Sequence, residues 1–195
     1  MAGGSPPNKS AQISCPTPMA TTHSQKRPNA KEPDWLAKAT ELKQVALERL
    51  AAAPNSERDV APTPGSWSAS GIVEHLILVE ECVAGLWQER LKAVPNAKAG
   101  FKSEMLSRMV GFVFSNSGIR VPTVAELEPV GGIGIEELTL RWTAARQRLT
   151  DTLPQDNQAA WVLHPALGPL SSTQMGRLIT AHLNHHLRHW PKQIN

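Results

Sequence analysis

The side chains best suited to chemistry in this chain are four histidines between positions 182 and 189. In a helix, His182 and His186 lie one turn apart on the same face, so both rings can direct a nitrogen at one metal ion. Imidazole nitrogens are common ligands of zinc and other divalent ions. The spacing therefore indicates a metal-binding pair that needs at least one further protein ligand.

The element that carries this pair is a helix predicted over residues 171–190. Ser171 and Gln174 fit the Ser-x-x-Gln capping box that opens helices, and Pro191 marks the end. Both histidines fall in the middle of its apolar stripe, which also contains Met175, Leu178, Ile179 and Trp190. Because burying an imidazole costs free energy unless its nitrogens find partners, a shared ion is the simplest arrangement.

A third ligand is predicted from a second helix, residues 68–94, which begins with Ser68 as its cap. His75 lies in the middle of its apolar face, whose other members are Ile72, Val79, Cys82, Val83 and Leu86. The sequence therefore predicts a metal site of His75, His182 and His186, with coordination positions left for water or substrate. Solvated surface positions are predicted for three carboxylates of the same helix: Glu74, Glu80 and Glu81.

The other histidines have less specific interpretations. A lone histidine on an apolar helix face is usually a core residue with hydrogen-bonded nitrogens, so one such residue is weak evidence for a ligand. His185 and His189 form a second pair at the rim of the stripe, where they could orient a ligand or move a proton. His164 is predicted to hold the loop His-Pro-Ala-Leu-Gly through a backbone hydrogen bond. The mouth of the pocket is expected near His189 and this loop.

Two further long helices complete the predicted frame. Apolar residues recur at helical spacing over residues 34–53 and 133–153, and a proline follows each run. Residues 95–133 form a long crossover that contains a short apolar helix, and residues 155–170 are predicted to form a loop. Since no segment shows strand-like alternation, the sequence predicts an all-α four-helix bundle with a long crossover between the second and third long helices.

Composition divides the chain into a tail and one domain, residues 33–195. Residues 1–32 contain four basic residues and one acidic residue, which accounts for the whole net charge of +3. They are rich in Pro, Ser, Thr and Ala without apolar periodicity, so this tail is expected to be disordered. The rest of the chain has no net charge, so the pI near 9.1 does not indicate a nucleic-acid partner.

Apolar segments and cysteines indicate the compartment of the protein and whether it contains disulfides. No run approaches the roughly 18 apolar residues of a membrane span, and the tail lacks the apolar core of a secretory signal. No membrane partner is therefore expected, and the cytoplasm is the expected compartment. The two cysteines, Cys15 in the tail and Cys82 in a helix, indicate no disulfide framework.

Short motifs occur in a fixed order along the domain. Trp-Ser at 67–68 leads into Ile-Val-Glu-His-Leu at 72–76, and His-Pro-Ala-Leu-Gly-Pro-Leu at 164–170 precedes His-Leu-Asn-His-His at 182–186. This set resembles the DinB/YfiT-like superfamily of metal-binding four-helix bundles over roughly residues 34–195. The resemblance implies that His75, His182 and His186 hold a divalent metal. Many members end the last motif with His-His-x-x-Gln, whereas this chain has His189 at the glutamine position.

The resemblance implies one kind of cofactor, a divalent metal, but several different reactions. Relatives in this superfamily include thiol S-transferases that use low-molecular-weight thiols such as bacillithiol or mycothiol, a mycothiol-dependent maleylpyruvate isomerase, and proteins classed as hydrolases. The expected function is a metal-dependent transferase that joins a small-molecule thiol to a small electrophile, with zinc or nickel as the metal. His185 and His189 are the candidate catalytic residues. The alternatives are a stress-related metal-binding bundle without turnover and a metal-dependent hydrolase, and a homodimer is the assembly considered.

Overall fold

The computed structural model describes residues 33–94, 96–116, 123, 125–154, 156 and 159–191. The tail predicted over residues 1–32 lies outside the described residues. The helices are α1 (Asp34–Ala52), α2 (Asn55–Arg58), α3 (Ala69–Ala84), α4 (Leu86–Lys92), α5 (Phe101–Asn116), α6 (Ile135–Asp151) and α7 (Ser172–Arg188), with a 3₁₀ helix at Ala125–Leu127. Two strands, β1 (Ala160–His164) and β2 (Gly168–Ser171), precede α7. No helix in this part of the chain is long and apolar enough to cross a membrane.

Helices α1, α3, α6 and α7 form the bundle that the periodicity predicts. Helix α5 of the crossover packs against α7 and has 16 residues, as many as α3, so the prediction of a short helix there is wrong. Arg49 late in α1 donates to the carbonyl of Leu187 late in α7, so these two helices run in the same direction. α3 runs the opposite way, because His75 near its start faces His182 late in α7. Large apolar side chains fill the core, among them Leu36, Leu50, Leu76, Leu138, Trp142 and Leu183. The all-α four-helix prediction is confirmed.

The second long helix is interrupted at Gly85, whereas the sequence predicts one continuous helix over residues 68–94. α3 ends at Ala84 and α4 begins at Leu86, and Gly85 between them has non-helical backbone angles of φ −118° and ψ −86°. Glycine has a low helix propensity because its unfolded backbone is unusually free, so a helix breaks most readily there. After the break, Trp87 is buried and α4 lies against β1.

Residues 155–170, predicted as a loop, contain an antiparallel hairpin. In the pairing of β1 with β2, Val162 lies opposite Leu170 and His164 lies opposite Gly168. Gly168 has a φ of +75°, which glycine adopts without strain where the turn returns to β2. Val162 and Leu170 are both fully buried, and such short buried strands do not show the alternation that identifies a half-exposed strand. The prediction of no strand is therefore wrong for this segment.

One glycine of α7 makes room for an indole of α1. A Cβ atom at Gly176 would lie 2.1 Å from Cδ2 of Trp35. The Trp35 ring also lies 6.2 Å from the ring of Trp161 in β1. The start of α1, the start of α7 and the hairpin therefore meet at one end of the bundle, and Arg49 with Leu187 marks the other end.

Glu80 is buried, with 1% of its surface exposed, whereas the sequence predicts a solvated carboxylate. Its Oε1 accepts a hydrogen bond from Trp142 Nε1 at 3.0 Å, and its Oε2 accepts one from Arg146 Nε at 2.8 Å. Arg146 also donates to Thr40 Oγ1 in α1 at 3.0 Å. A buried charge is tolerated when it is paired and hydrogen-bonded, as here. This carboxylate therefore connects α3 to α6 and, through Arg146, to α1.

Of the other two carboxylates predicted as solvated, Glu74 is buried and Glu81 is half-buried. Glu74 Oε2 accepts from the backbone nitrogen of Gly131 at 2.8 Å, which ties α3 to the end of the crossover. Glu81 forms an ion pair with Arg141 of α6 at 2.7 Å. The prediction is therefore wrong for Glu74 and Glu80, because their partners come from distant parts of the chain.

Replacement of Arg146 by alanine should lower the free energy of unfolding by about 3–5 kcal/mol, because it leaves the Glu80 carboxylate buried without its cation. Urea denaturation followed by circular dichroism measures this change. The matched control is Arg148→Ala, since the Arg148 side chain is 50% exposed and lies 3.2 Å from Glu81. Loss of that exposed pair should cost less than about 1 kcal/mol. Equal losses in the two variants would contradict the role assigned to the buried pair.

Candidate metal centre

Three imidazoles from α3 and α7 converge in the structure as the sequence predicts. His75 Nε2 lies 3.3 Å from His182 Nε2, and His186 Nε2 lies 2.9 Å from the same atom. The three donor atoms all lie within 4.8 Å of one another. These three residues form a cluster that could hold a metal ion, and we call it the three-histidine cluster.

Helix caps place the three rings. Ser171 Oγ accepts from the backbone nitrogen of Gln174, and Gln174 Oε1 accepts from the backbone nitrogen of Ser171, so the predicted capping box is confirmed. Ser68 Oγ caps α3 by accepting from the backbone nitrogen of Gly71 at 3.1 Å. With both helix starts set and the helices antiparallel, His75 in the second turn of α3 lies opposite the late turns of α7.

A backbone carbonyl sets the tautomer of His75. Its Nδ1 lies 2.8 Å from the carbonyl oxygen of Leu127, in the 3₁₀ helix of the crossover. Since a carbonyl oxygen only accepts, Nδ1 carries the hydrogen and Nε2 presents a lone pair to the cluster. Sequence reasoning missed this contribution, because residues 118–132 show no pattern that distinguishes the residue supplying the carbonyl.

Burial keeps all three rings neutral at neutral pH. It lowers the pKa of His75 and lowers the pKa of His186 to about 3. Burial, together with the neighbouring His186 and His75, lowers the pKa of His182 well below its usual value. The neutral imidazole is the form that binds a metal, so the cluster is in its ligating state without any change of protonation.

Two of the three donor separations suit one divalent ion. Two nitrogens bound to one zinc ion at about 2.0–2.1 Å, with an angle near about 90–110° between them, are roughly 2.9–3.4 Å apart. The separations of 2.9 and 3.3 Å from His182 Nε2 fall in this range. Hydrogen bonding alone satisfies the cluster poorly, because His182 Nε2–H can donate to only one of its two neighbours. A shared ion would instead bind all three Nε2 atoms, with the His182 hydrogen on Nδ1.

Aromatic rings surround the cluster. The ring of Trp67 lies 4.5 Å from that of His75 and 6.0 Å from that of His186. The ring of Phe114, in α5, lies 5.3 Å from that of His182. Such rings exclude water and strengthen electrostatic interactions inside the site. The sequence identifies Trp67 only as part of a motif and does not identify Phe114, whose position depends on how the crossover packs.

The chain is similar to one known family over most of its length. A family model described as the DinB superfamily matches residues 39–189, which include the whole three-histidine cluster. The chain belongs to the DinB superfamily. No curated protein and no solved structure matches it.

In this DinB chain, the second histidine pair lies beside the cluster and is not part of it. His185 Nδ1 donates to the carbonyl oxygen of Phe114 at 3.0 Å. Its ring lies 5.4 Å from the ring of His186 and 4.8 Å from the ring of His189. His189 follows the last residue of α7 and is exposed. The rings of His185 and His189 therefore lie one after the other between the cluster and solvent.

His164 has the structural role that the sequence predicts. Its Nδ1 accepts from the backbone nitrogens of Ala166 at 3.1 Å and Leu167 at 3.2 Å, which closes the hairpin turn. Its ring packs 4.4 Å from that of Trp87. The hairpin leads into the first turn of α7, and His182 lies about 15 Å further along that helix. The expectation that this loop lies at the mouth of the pocket is therefore wrong.

Acid should weaken the hairpin through His164. Burial lowers the pKa of His164 to about 4, from 6.5, so between these values the unfolded chain binds a proton that the folded chain does not. The stability that the neutral ring provides is therefore complete above pH 6.5 and is lost as the pH falls towards 4. The loss should be on the order of 2 kcal/mol, allowing for partial exposure of the ring.

The variant His164→Asn isolates this effect, because asparagine Oδ1 can accept the same two backbone N–H groups and does not titrate. Urea denaturation of metal-stripped wild type and variant at neutral pH and near pH 4.5 compares their acid losses. We expect the smaller loss in the variant. The same loss in both proteins would show that His164 does not carry the acid dependence.

Proposed function

We propose that this DinB protein is a metal-dependent transferase that joins a low-molecular-weight thiol to a small electrophile. The observation that carries the proposal is the convergence of three neutral Nε2 donors, one of them set by the Leu127 carbonyl. His75, His182 and His186 would hold one zinc or nickel ion, since imidazole suits both metals. The proposed compartment is the cytoplasm, where thiols stay reduced.

The proposed chemistry divides between the ion and the chain. When bound, a divalent ion stabilises the thiolate form of a thiol at neutral pH. The rings of Trp67 and Phe114 would exclude bulk water from the reacting groups. His185 donates through Nδ1 to Phe114, so its Nε2 is left as an acceptor for the thiol proton. The exposed ring of His189 would pass that proton to solvent.

The second candidate function is a metal-binding, stress-related bundle without turnover. The close approach of Trp67 to two of the three rings favours it, because aromatic walls narrow the approach of a substrate. A hydrolase would use the same three donors with water in place of the thiol. A homodimer is compatible with each of these functions.

Purified protein should contain about one divalent ion per chain, because three imidazole nitrogens within 4.8 Å of one another could share one ion. His182→Ala and His186→Ala should each abolish metal content, since either change leaves two ligands. Elemental analysis by mass spectrometry, with protein concentration determined by amino-acid analysis, measures the ratio. His189→Ala is the matched control and should keep its metal. Full metal content in both cluster variants would rule out the proposed site.

Metal-loaded protein should accelerate conjugation of a small thiol to an electrophile such as monochlorobimane. The rate should fall to background after metal removal and in His75→Ala, because both remove the proposed thiolate site. His189→Ala should lose about tenfold, as expected for a residue that assists without ligating. The assay compares these four proteins across several thiols, including bacillithiol and mycothiol. Background rates in all four, with metal confirmed in the loaded sample, would favour the bundle without turnover.

A further inference from the structure

Helix α5 exposes four large apolar side chains to solvent. Its buried members, on the side that packs against α7, are the small residues Ser103, Ser107 and Gly111, and Leu106, Val110 and Phe114 are half-buried. The exposed residues are Phe101 at 85%, Met105 at 55%, Met109 at 57% and Phe112 at 69%. A surface helix normally buries its apolar stripe and exposes polar residues. The outward face of α5 is therefore suited to contact another apolar surface.

These four residues form one continuous stripe. Their spacings of four, four and three residues keep them on the same side of the helix over about 16 Å. The stripe reads Phe, Met, Met, Phe in both chain directions. An interface with twofold symmetry uses the same patch on both copies, so that patch must complement itself when reversed. The order of these residues meets this condition.

We infer that a second copy of this chain docks on the stripe, with the two α5 helices antiparallel about a twofold axis. Phe101 of each copy then lies opposite Phe112 of the other, and Met105 lies opposite Met109. Methionine side chains in the centre adapt to each other, and the aromatic rings at the ends supply most of the contact area.

The charges beside the stripe fit the same arrangement. Arg108 and Glu104 lie one turn apart on one flank and form an ion pair at 2.6 Å. In an antiparallel twofold pair, the same flank of each helix meets its copy, and the Arg108 of one chain comes level with the Glu104 of the other. Charges of opposite sign on this flank therefore face each other across the axis.

A groove next to the stripe provides a receptor for the end of the second helix. It has a volume of about 320 Å³ and lies between α5 and α7, lined by Arg108, Gly111, Phe112, Arg177, Thr180, Ala181 and Asn184. The twofold arrangement places Phe101 of the second copy, the most exposed ring of the stripe, over this groove. An aromatic side chain seated beside two arginines also gains from cation–π contact.

The area available is consistent with a dimer. The four side chains together expose on the order of 400 Å² of apolar surface, the size of patch that is often functional on a protein surface. A standard interface buries about 800 Å² on each partner. The stripe would form the apolar centre of the interface, and the charged flank and the groove would supply its rim.

The N-terminal tail is a poorer occupant. Residues 1–32 contain no Leu, Val, Phe or Trp, and Met1, Ile13, Cys15 and Met19 are their larger apolar side chains. A segment of this composition offers little apolar surface to a stripe with two phenylalanines at its ends. The second copy carries an equal and complementary stripe.

Sedimentation velocity of the full chain tests the assembly. Wild type should sediment at twice the chain mass of 21.2 kDa at micromolar concentration. Met105→Glu and Met109→Lys should each weaken the dimer at least tenfold and give monomers, because each places a charge in the apolar centre. An equimolar mixture of these two variants should recover dimers, since the antiparallel register pairs position 105 with position 109. Leu140→Glu, at a 73% exposed position on α6, is the control and should remain dimeric.

Each other result would overturn the inference. A monomeric wild type, or dimers that persist in both methionine variants, would exclude the stripe as the interface. Monomeric variants that do not recover in the mixture would exclude the antiparallel register. The far-ultraviolet circular dichroism spectrum of every variant should match that of wild type, whereas melting temperatures should fall in the monomeric variants because they lose the dimer's contribution to stability. A loss of helical signal in both methionine variants would show that the stripe serves the fold instead. Co-sedimentation of a monomeric wild type with phosphatidylcholine–phosphatidylserine vesicles, lost in Met105→Glu, would assign the stripe to a lipid surface.

Discussion

The fold depends on the hydrogen bonds made to one buried carboxylate in the core. Glu80 accepts from Trp142 and Arg146 of α6, and Arg146 in turn reaches Thr40 of α1. A buried charge that loses such partners costs several kcal/mol, so α3 has little freedom to rotate or slide against α6. His75 lies on the same helix, little more than one turn before Glu80. The interaction that sets the register of α3 therefore also sets the direction of the His75 ring towards α7.

The parts of the site that could be predicted from sequence depend on local chemistry. The capping box of Ser171 and Gln174 defines where α7 begins, and helical spacing then puts His182 and His186 on its buried face. Ser68 defines the start of α3 in the same way, which puts His75 on its apolar face. Caps and periodicity are properties of consecutive residues, so no knowledge of packing is needed. Caps and periodicity together predict the three-histidine cluster, and the structure shows the three residues together.

The parts that could not be predicted depend on contacts between distant residues. A glutamate looks the same in a sequence whether its partner is water or Arg146, so the sequence pattern predicts Glu80 at the surface. The carbonyl that orients His75 comes from Leu127, and every residue has a carbonyl. The hairpin of β1 and β2 is short and buried, so its strands lack a visible period. The break at Gly85 could not be predicted from the glycine alone, because many helices contain a glycine without breaking. It depends on where α4 packs.

The contact between Gly176 and Trp35 couples two positions far apart in the chain. The indole occupies the volume that any β-carbon at position 176 would need, since the two atoms would be 2.1 Å apart. A larger residue at 176 is therefore compatible with this packing only if position 35 becomes smaller at the same time. During evolution, positions 35 and 176 should therefore change together, so that a bulky ring at position 35 of α1 is always accompanied by glycine at position 176 of α7. Among homologous sequences, that covariation would identify the chains in which α1 and α7 share this close approach.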